Sequence, residues 1–434
     1  MARNFLPLIL CFSLVCACSD DGTKAPVFAF TTLRGSQPPN DPSAVDPALV
    51  RAAADAQRTF AADLYRRLAA DPTQDGLNLI VSPYSIFSAF NLLFPGAAGH
   101  TADALRATFF LSGADDGIFA GQGALDQTVR AHSSKNARLE TANSAFVDNG
   151  YAVYQTYLDT ITSYYGAEIY QADFRLQSEL MRAEINRWVE YHTADKIHDL
   201  LPPDSVSQDT GLVLVNAVYF NAKWKTAFED GTAMTFHGAT GDQAFTSMRS
   251  ELGTHLYDTR WTDPAPANPL QIVALPYKDE QFDMLVFLPG DFAAFQTTLD
   301  GTTLGSLIDD TYATALSPVV VNMPEFTIEW ELKMNDLLTA MGLGPAFCDA
   351  SPAPDFTRMA DNDYEPCISG VFHKAFVEVN KVGTEAAAAT GVVQNVNSCN
   401  GGDVFAFTAD RPFLYAIVDR ETRTILFLGH MLNL

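Results

Sequence analysis

Apolar residues recur at helical spacing in the first half of the chain. Phe60, Leu64 and Leu68 lie four residues apart with Arg and Asp between them, which predicts a helix with one buried face. Ser82 and Pro83 predict the start of a second helix, because serine caps free N–H groups and proline suits the first turn. The buried face of this second helix would consist of Ile86, Phe90 and Leu93.

The second half of the chain contains nearly continuous apolar runs. They are typical of strands covered on both faces, and they span 212–220, 284–288, 319–323 and 425–428. Helices first and strands later predict an α+β fold rather than a series of βαβ units. The composition does not change abruptly after residue 47, so the sequence contains no sign of a second domain.

Residues Gly383 to Thr390 contradict their surroundings. They read Gly-Thr-Glu-Ala-Ala-Ala-Ala-Thr and lie between the strand-like segments 371–379 and 404–407, although alanine favours helices. One interpretation is a short exposed helix between two strands. The other is a loop that can become a strand, since Thr384, Ala386, Ala388 and Thr390 would share one small, nearly apolar face. Glu385, Ala387 and Ala389 would lie on the opposite face, and Gly383 would act as a hinge.

Composition and charge exclude some classes of function for this chain. The 434 residues are 47% hydrophobic, enough for a large core, and the net charge of −25 comes without a basic tract. Nucleic-acid binding is therefore not expected, because phosphate contacts need clustered Lys and Arg. Familiar catalytic signatures such as Gly-x-Ser-x-Gly and His-Glu-x-x-His are absent, and His192 and His198 lack a one-face helical spacing. We predict no enzyme activity, no metal and no cofactor.

The N-terminus predicts export. Arg3 precedes the short apolar run 5–15, and the sequence Val15-Cys16-Ala17-Cys18 resembles a bacterial lipobox, although Cys16 departs from it. That resemblance implies a signal peptide over 1–17, lipidation of Cys18 and, from the following serine, an outer-membrane or cell-surface location. The alternative is an ordinary secretory signal. Residues 18–46, rich in Asp, Pro, Thr and Ser, predict a flexible tether to the membrane.

The remaining cysteines allow one internal disulfide. Cys348 and Cys367 flank a segment rich in Pro and Asp, and in an exported protein a bond between them would contribute about 3 kcal/mol. The alternative is two free thiols. Cys399 is left over, and its role stays open.

Several stretches together resemble the serpin family, in order over residues 47–434. They are the early Ser-Pro helix at 78–86, the central strand from Leu212 to Trp224, the Leu-Pro-Tyr strand and hairpin at 271–289, His373-Lys374-Ala375 with the Gly383–Thr390 run, and the C-terminal signature at 407–415. The resemblance implies three β-sheets with about nine helices and an exposed reactive-centre loop at about 381–406. It also implies a suicide-type inhibitor of a serine or papain-like cysteine endopeptidase, in which the cleaved loop inserts into the large sheet.

The resemblance assigns roles to residues outside the loop. The family's polar cluster beneath the large sheet maps to Ser82, Ser85, Asn216 and His373, and Trp224 maps to the upper end of the sheet. Each of the four polar residues is equally explained as an ordinary satisfied core residue. The family's Glu and Lys at the top of the sheet are replaced by Lys381 and Glu325, so we predict a charge-swapped contact between these two.

The reactive bond follows from counting thirteen residues beyond Thr384. This count places it between Asn397 and Ser398, whereas counting back from Pro412 moves it toward Gly401. No Lys or Arg occurs between Val382 and Asp410, so a trypsin-like target is disfavoured. We expect a monomer whose partners are a target protease and, through the anchor, a membrane. The alternatives are a non-inhibitory binding or chaperone-like module and a surface-anchored enzyme.

Overall fold

The computed structural model of the chain describes residues 26–260, 269–361, 366–384 and 404–434. Within these ranges the chain forms nine α-helices and seventeen β-strands. The mixture confirms the α+β class expected from the sequence.

The helices lie mainly in the first half of the chain. They are α1 (Pro47–Ala69), α2 (Pro83–Leu93), α3 (Gly99–Thr108), α4 (Asp115–Ala131), α5 (Gln155–Tyr165), α6 (Phe174–His192), α7 (Phe292–Thr298), α8 (Gly301–Ala313) and α9 (Asn335–Leu338).

The strands dominate the second half. They are β1 (Thr31–Leu33), β2 (Leu79–Val81), β3 (Ala137–Asp148), β4 (Ile169–Ala172), β5 (Leu212–Lys223), β6 (Glu229–Gly238), β7 (Gly241–Arg249), β8 (Gly253–Arg260), β9 (Leu270–Pro276), β10 (Phe282–Leu288), β11 (Leu316–Met323), β12 (Phe326–Lys333), β13 (Ile368–Val379), β14 (Gly383–Thr384), β15 (Phe405–Thr408), β16 (Phe413–Asp419) and β17 (Ile425–Met431).

Seven strands form one sheet in the order β1-β4-β3-β5-β14-β13-β12. Strand β14 is only two residues long, so β5 and β13 also pair directly, and they do so in parallel. We call β1, β4, β3 and β5 the left half of this sheet and β13 with β12 the right half. The lower end is where β5 and β13 begin, and the upper end is where β14 lies.

The other ten strands form a second sheet, ordered β2-β17-β16-β10-β9-β8-β11-β7-β6 with β15 beside β11. Two portions of this sheet are joined where β8 pairs with β11. The described residues therefore form two sheets where the sequence resemblance implied three, because the pairing of β8 with β11 joins two portions into one sheet.

Local sequence explains how the first two helices begin. The Asp46 carboxylate accepts the Ala48 N–H at 2.8 Å, with Pro47 in the first turn of α1. Likewise the Ser82 hydroxyl caps α2 by accepting the Ser85 N–H at 3.1 Å. The predicted inner faces are correct, because Phe60, Leu64, Leu68, Ile86, Phe90 and Leu93 are all buried.

Helix α6 covers the seven-stranded sheet on the face opposite to α2. Trp188 of α6 packs edge-on against Phe146 of β3, with ring centroids 5.4 Å apart. The apolar cluster beneath the helix also includes Val215 of β5 and Phe372 of β13. The helix therefore rests on both halves of the sheet.

The flexible tether expected over 18–46 is wrong for the part that the structure describes. Residues 26–36, which we call the N-terminal strap, run over α6 and the sheet edge, and β1 pairs antiparallel with β4. The Arg187 guanidinium donates to the Val27 carbonyl at 2.7 Å, and Ala29 N–H donates to Glu184 at 3.0 Å. The strap is ordered by these partners, which lie more than 150 residues further along the chain, so local composition gives no sign of it.

Aromatic side chains anchor the strap. The Phe30 ring lies 5.1 Å from that of Phe146 and 4.9 Å from that of Tyr170, while Arg187 stands 4.6 Å over the Phe28 ring. Such contacts bury apolar area and add favourable ring geometry.

No helix in the described ranges combines the length and apolar character that crossing a membrane requires.

We predict that Phe30→Ala lowers the free energy of unfolding by about 1–3 kcal/mol, since a half-buried ring loses its contacts with Phe146 and Tyr170. Urea unfolding followed by circular dichroism measures the change. Val27→Ala is the matched control, because that side chain is 88% exposed and should have almost no effect. Equal effects of the two substitutions would contradict the packing role of Phe30.

Candidate functional site

The centre of the seven-stranded sheet has an unusual strand arrangement. Strands β5 and β13 run parallel and pair from Ile368 beside Leu212 to Phe376 beside Tyr219, with one irregularity between Ile368 and Gly370. Their outer neighbours β3 and β12 are both antiparallel to them. A strand placed between β5 and β13 can therefore be antiparallel to both, and antiparallel pairs are slightly more stable per residue.

Strand β14 already occupies the upper end of this position. Thr384 pairs with Ala222 of β5 on one side and with Val379 of β13 on the other, antiparallel to both. Thr384 is fully buried, and its hydroxyl lies 2.6 Å from the Tyr277 hydroxyl. Of the predicted hinge, Gly383 and Thr384 are thus within the sheet, whereas Glu385, Ala386, Ala387, Ala388, Ala389 and Thr390 lie outside the described residues.

Gly383 is required by close backbone contact. A Cβ added at this position would lie 2.1 Å from the Ala222 carbonyl oxygen and 2.7 Å from the Lys223 Cα. Real Cβ atoms do not approach backbone so closely, so any other residue would push β14 away from β5.

A tight turn feeds the chain from β13 into β14. The Asn380 side-chain oxygen accepts the N–H groups of Val382 at 2.9 Å and Gly383 at 3.2 Å. Asn380 N–H also donates to the Gly383 carbonyl at 2.9 Å. Asparagine suits such a turn because its side chain can replace backbone acceptors.

Trp224, which follows β5, contacts this turn through two hydrogen bonds. Its indole N–H donates to the Asn380 carbonyl at 2.8 Å, and its ring stacks on Tyr277 with centroids 4.5 Å apart. The Trp224 backbone N–H donates to the Val382 carbonyl at 3.0 Å. Trp224 therefore lies at the upper end of the sheet, where the sequence resemblance put it, and Tyr277 links it to Thr384.

The predicted contact between Lys381 and Glu325 takes a different form. The Glu325 carboxylate accepts the Lys381 backbone N–H at 3.0 Å, while the Lys381 ammonium pairs with Asp230 at 2.5 Å. The Asp230 hydrogen bond and the nearby Glu325 charge raise the pKa of Lys381. Asp230 lies 151 residues away from Lys381, and nothing in the local sequence marks it. These exposed groups contribute little energy, so their main effect is on the geometry of the turn.

The polar cluster beneath the sheet is fully buried. His373 of β13 and Asn216 of β5 face each other in register, and the Ser82 N–H donates to the His373 ring at 3.2 Å. The Ser82 hydroxyl donates to the Leu426 carbonyl at 2.6 Å. Burial lowers the pKa of His373 to about 3, so this ring is neutral near pH 7.

Ser85 bonds to a residue that no sequence pattern singles out. Its hydroxyl donates to the Asn143 side chain at 2.6 Å, and Asn143 of β3 is in register with Asn216. Asn216 itself has no side-chain hydrogen bond to any described residue, and neither has the second ring nitrogen of His373.

Lys374, next to His373, connects α6 to the right half of the sheet. Its ammonium pairs with Glu329 at 2.8 Å and Glu331 at 3.0 Å, both on β12. It also donates to the carbonyl of His198, which follows α6, at 3.2 Å. Separation of β5 from β13 must strain this contact, because the segment from α6 leads directly into β5.

The reactive bond predicted at Asn397 and Ser398 lies outside the described residues, as do Cys18 and Cys399. The chain is described again from Val404, and β15 then pairs in parallel with β11. Both ends of the loop are therefore fixed on strands.

At the lower end, Cys348 and Cys367 form a disulfide with their Cα atoms 4.9 Å apart. Cys367 immediately precedes β13. Of the two alternatives left by the sequence, the structure has the bonded pair.

Among the described residues, one group of three side chains has the types that bind metals. The His198 ring nitrogen lies 3.5 Å from Glu190 and 3.9 Å from Asp195. The group is largely exposed, and these distances suit ordinary ion pairs.

Comparisons with known proteins agree with this architecture. A family model described as Serpin (serine protease inhibitor) matches residues 55–434. A serpin-like protein of Methanosarcina mazei is 31% identical over 385 residues, covering 87% of this chain and 86% of that protein. Antithrombin-III of Homo sapiens is 33% identical over 388 residues, covering 87% and 81%.

Solved structures show the same fold. The crystal structure of the thermophilic serpin Tengpin in its native state has a TM-score of 0.77 at 23% identity, covering 93% of this chain and 100% of that one. Uncleaved ovalbumin has a TM-score of 0.74 at 22% identity, covering 88% and 100%.

Acid should destabilise the closed sheet through His373. Its native pKa of about 3 lies below the ordinary value of 6.5, so the unfolded chain takes up the proton first. Stability is therefore complete above about pH 6.5 and falls toward pH 3, by up to about 1.4 kcal/mol per pH unit. His373→Gln should show a smaller loss between about pH 7 and pH 4.5 in urea unfolding.

A second buried histidine, His430, contributes a constant background to that experiment. Burial also lowers its pKa, to about 4, so its contribution is present in both proteins and cancels in the difference. An equal acid-induced loss in the wild type and His373→Gln would show that His373 is not the responsible group.

Proposed function

This chain belongs to the serpin family, and we propose that it is a suicide-type inhibitor of a serine or papain-like cysteine endopeptidase. The observation that carries the proposal is β14, which begins a strand antiparallel to both β5 and β13. A loop that continued in this direction would convert one parallel ladder into two antiparallel ladders. Human antithrombin-III, a relative of this chain, is a named inhibitor in a family described as serine protease inhibitors.

The proposed reaction begins at the loop between Thr384 and Val404. The protease nucleophile attacks the Asn397 carbonyl carbon, the peptide bond to Ser398 breaks, and the Ser398 nitrogen leaves as an amine after taking a proton. An acyl-enzyme then joins the protease to Asn397. Insertion of residues 384–396 as a strand would span about 43 Å at 3.3 Å per residue, which carries the attached protease to the lower end of the sheet.

Small side chains make rapid insertion possible in this proposal. Thr384 shows that a small side chain fits between β5 and β13, because it is fully buried there against Tyr277. Ala386, Ala388 and Thr390 would follow on the same face of the strand. The absence of Lys and Arg from 383–409 favours elastase-like, chymotrypsin-like, Asn-cleaving or papain-like targets over trypsin-like ones.

A panel of these proteases tests the proposal. The wild-type chain should form a covalent complex that survives SDS with at least one of them, and its cleaved form should melt at a much higher temperature than the intact form. Thr384→Arg should instead be cleaved without complex formation, because a buried unpaired guanidinium blocks insertion. Thr384→Ser, which keeps the hydroxyl, should still form the complex.

Two outcomes would oppose inhibition. Clean cleavage of the wild type by every protease, without a complex, would favour a non-inhibitory binding module on the same fold. Complex formation by Thr384→Arg at the wild-type level would show that burial of residue 384 is irrelevant to the mechanism.

We further propose that the protein is exported and anchored to a membrane through a lipid on Cys18. Pro26, where the N-terminal strap begins, is eight positions after Cys18, and eight such steps reach at most about 29 Å at 3.6 Å per residue. Such an anchor would hold the folded body close to the membrane rather than on a long tether.

Detergent phase partition tests the anchor. The full chain expressed in a Gram-negative host should enter the detergent phase, and Cys18→Ala should move to the aqueous phase. Cys399→Ser, which removes a cysteine outside the lipobox, should partition like the wild type. Identical partition of Cys18→Ala and the wild type would rule the anchor out.

A further inference from the structure

We propose that the Cys348–Cys367 disulfide is a redox-sensitive brace that slows separation of the two halves of the seven-stranded sheet. Its reduction would shorten the lifetime of the native state by easing insertion of the loop. The inference rests on the proposed function, because loop insertion is the process that the brace would slow.

The disulfide lies where the two halves meet at the lower end of the sheet. Cys367 is followed by Ile368, which pairs with Leu212, the first residue of β5. Gly211 N–H donates to the Ser369 hydroxyl at 3.0 Å, which joins the start of β5 to β13. A strand inserted along the whole sheet must break these links.

The segment that the disulfide closes contacts the left half of the molecule. Ala360 forms a β-bridge with Val153, and the Tyr154 N–H donates to the Met359 carbonyl at 2.9 Å. Val153 and Tyr154 connect β3 to α5. Residues 349–361 therefore reach from the start of β13 to the chain that leaves β3.

A second set of contacts holds the same segment further away from the sheet. Ala98 N–H donates to the Asp355 carbonyl at 2.8 Å, and Arg358 N–H donates to the Gly96 carbonyl at 3.2 Å. Phe356 and Met359 are buried within these contacts. The segment is thus packed against the connection between α2 and α3 as well as against the chain that leaves β3.

On the right side, the start of the segment lies beside the first residue of β13. Cys348 N–H donates to the Ile368 carbonyl at 3.2 Å, and Phe347 forms a parallel bridge with Ile368. The disulfide makes this junction covalent, so both arms of the segment start from the first residue of β13. Without the bond, Cys367 can follow β13 as it moves away from β5 while Cys348 stays behind.

A reductant can reach the bond from solvent. Cys348 is exposed and lines a cavity of about 380 Å³ together with Lys333, Asp336, Asp349 and Ser369. A structural disulfide enclosed in a core would lack such access.

The chemical step is a two-electron exchange. One thiolate of a dithiol attacks a sulfur of the Cys348–Cys367 bond and forms a mixed disulfide, and the released cysteine thiolate takes a proton. The second thiol of the reductant then displaces the other cysteine. The products are two protein thiols and the cyclic disulfide of the reductant, so the protein gains two electrons and two protons.

The test measures how long the native full-length chain persists at a fixed temperature below its melting transition. Conversion to an inserted monomer is followed by the loss of the native melting transition, with size exclusion to confirm the monomer. Dithiothreitol should shorten the native half-life by about tenfold, which corresponds to about 1.4 kcal/mol of activation free energy. Cys348→Ser with Cys367→Ser should match the reduced wild type and be insensitive to dithiothreitol.

Cys399→Ser is the matched control and should retain the full response to dithiothreitol. Equal half-lives of the oxidised and reduced wild type would overturn the brace, as would a response of the double variant to dithiothreitol. A lower melting temperature with an unchanged half-life would also overturn it, because the bond would then be a static cross-link. Neither measurement needs a protease, so the two proposals can fail separately. A half-life that dithiothreitol shortens, in a chain that forms no covalent complex with any protease, would support the brace and contradict inhibition.

Discussion

The parallel pairing of β5 with β13 is the constraint on which the rest of this molecule depends. Both strands have antiparallel outer neighbours, so the sheet has an internal position that suits one more strand better than it suits direct pairing. Strand β14 fills the first two residues of that position. The turn at Asn380, the Trp224–Tyr277 stack and the close approach of Gly383 to Ala222 all serve to start the additional strand in register.

The polar residues beneath the sheet connect both of its halves to α2. The Ser82 N–H donates to the His373 ring of β13, and the Ser85 hydroxyl donates to Asn143 of β3. Contacts on the outer face add to this connection, because Lys374 and the cluster under α6 also join both halves. Opening of the sheet therefore disturbs contacts on both of its faces.

Local sequence patterns predict those elements that need only an apolar core or a suitable capping residue. The inner faces of α1 and α2, the cap at Ser82 and the apolar strand β5 follow from spacing and residue type alone. The N-terminal strap was mistaken for a tether because its order comes from Glu184 and Arg187, far along the chain. Asp230 and Asn143 escaped prediction for the same reason, since their significance exists only after β6 and β3 have been placed beside the site.

The position of β1 also affects how copies of the protein behave when they are crowded together. An uncovered sheet edge is a template for pairing with a strand of another molecule, and β1, which forms this edge beside β4, is only three residues long and so offers few free backbone groups. The opposite edge strand, β12, carries the exposed charges Glu329 and Glu331, which discourage the same contact. Both borders of a sheet that is built to accept a new strand internally are thereby protected from accepting one externally, which favours solubility at high local concentration.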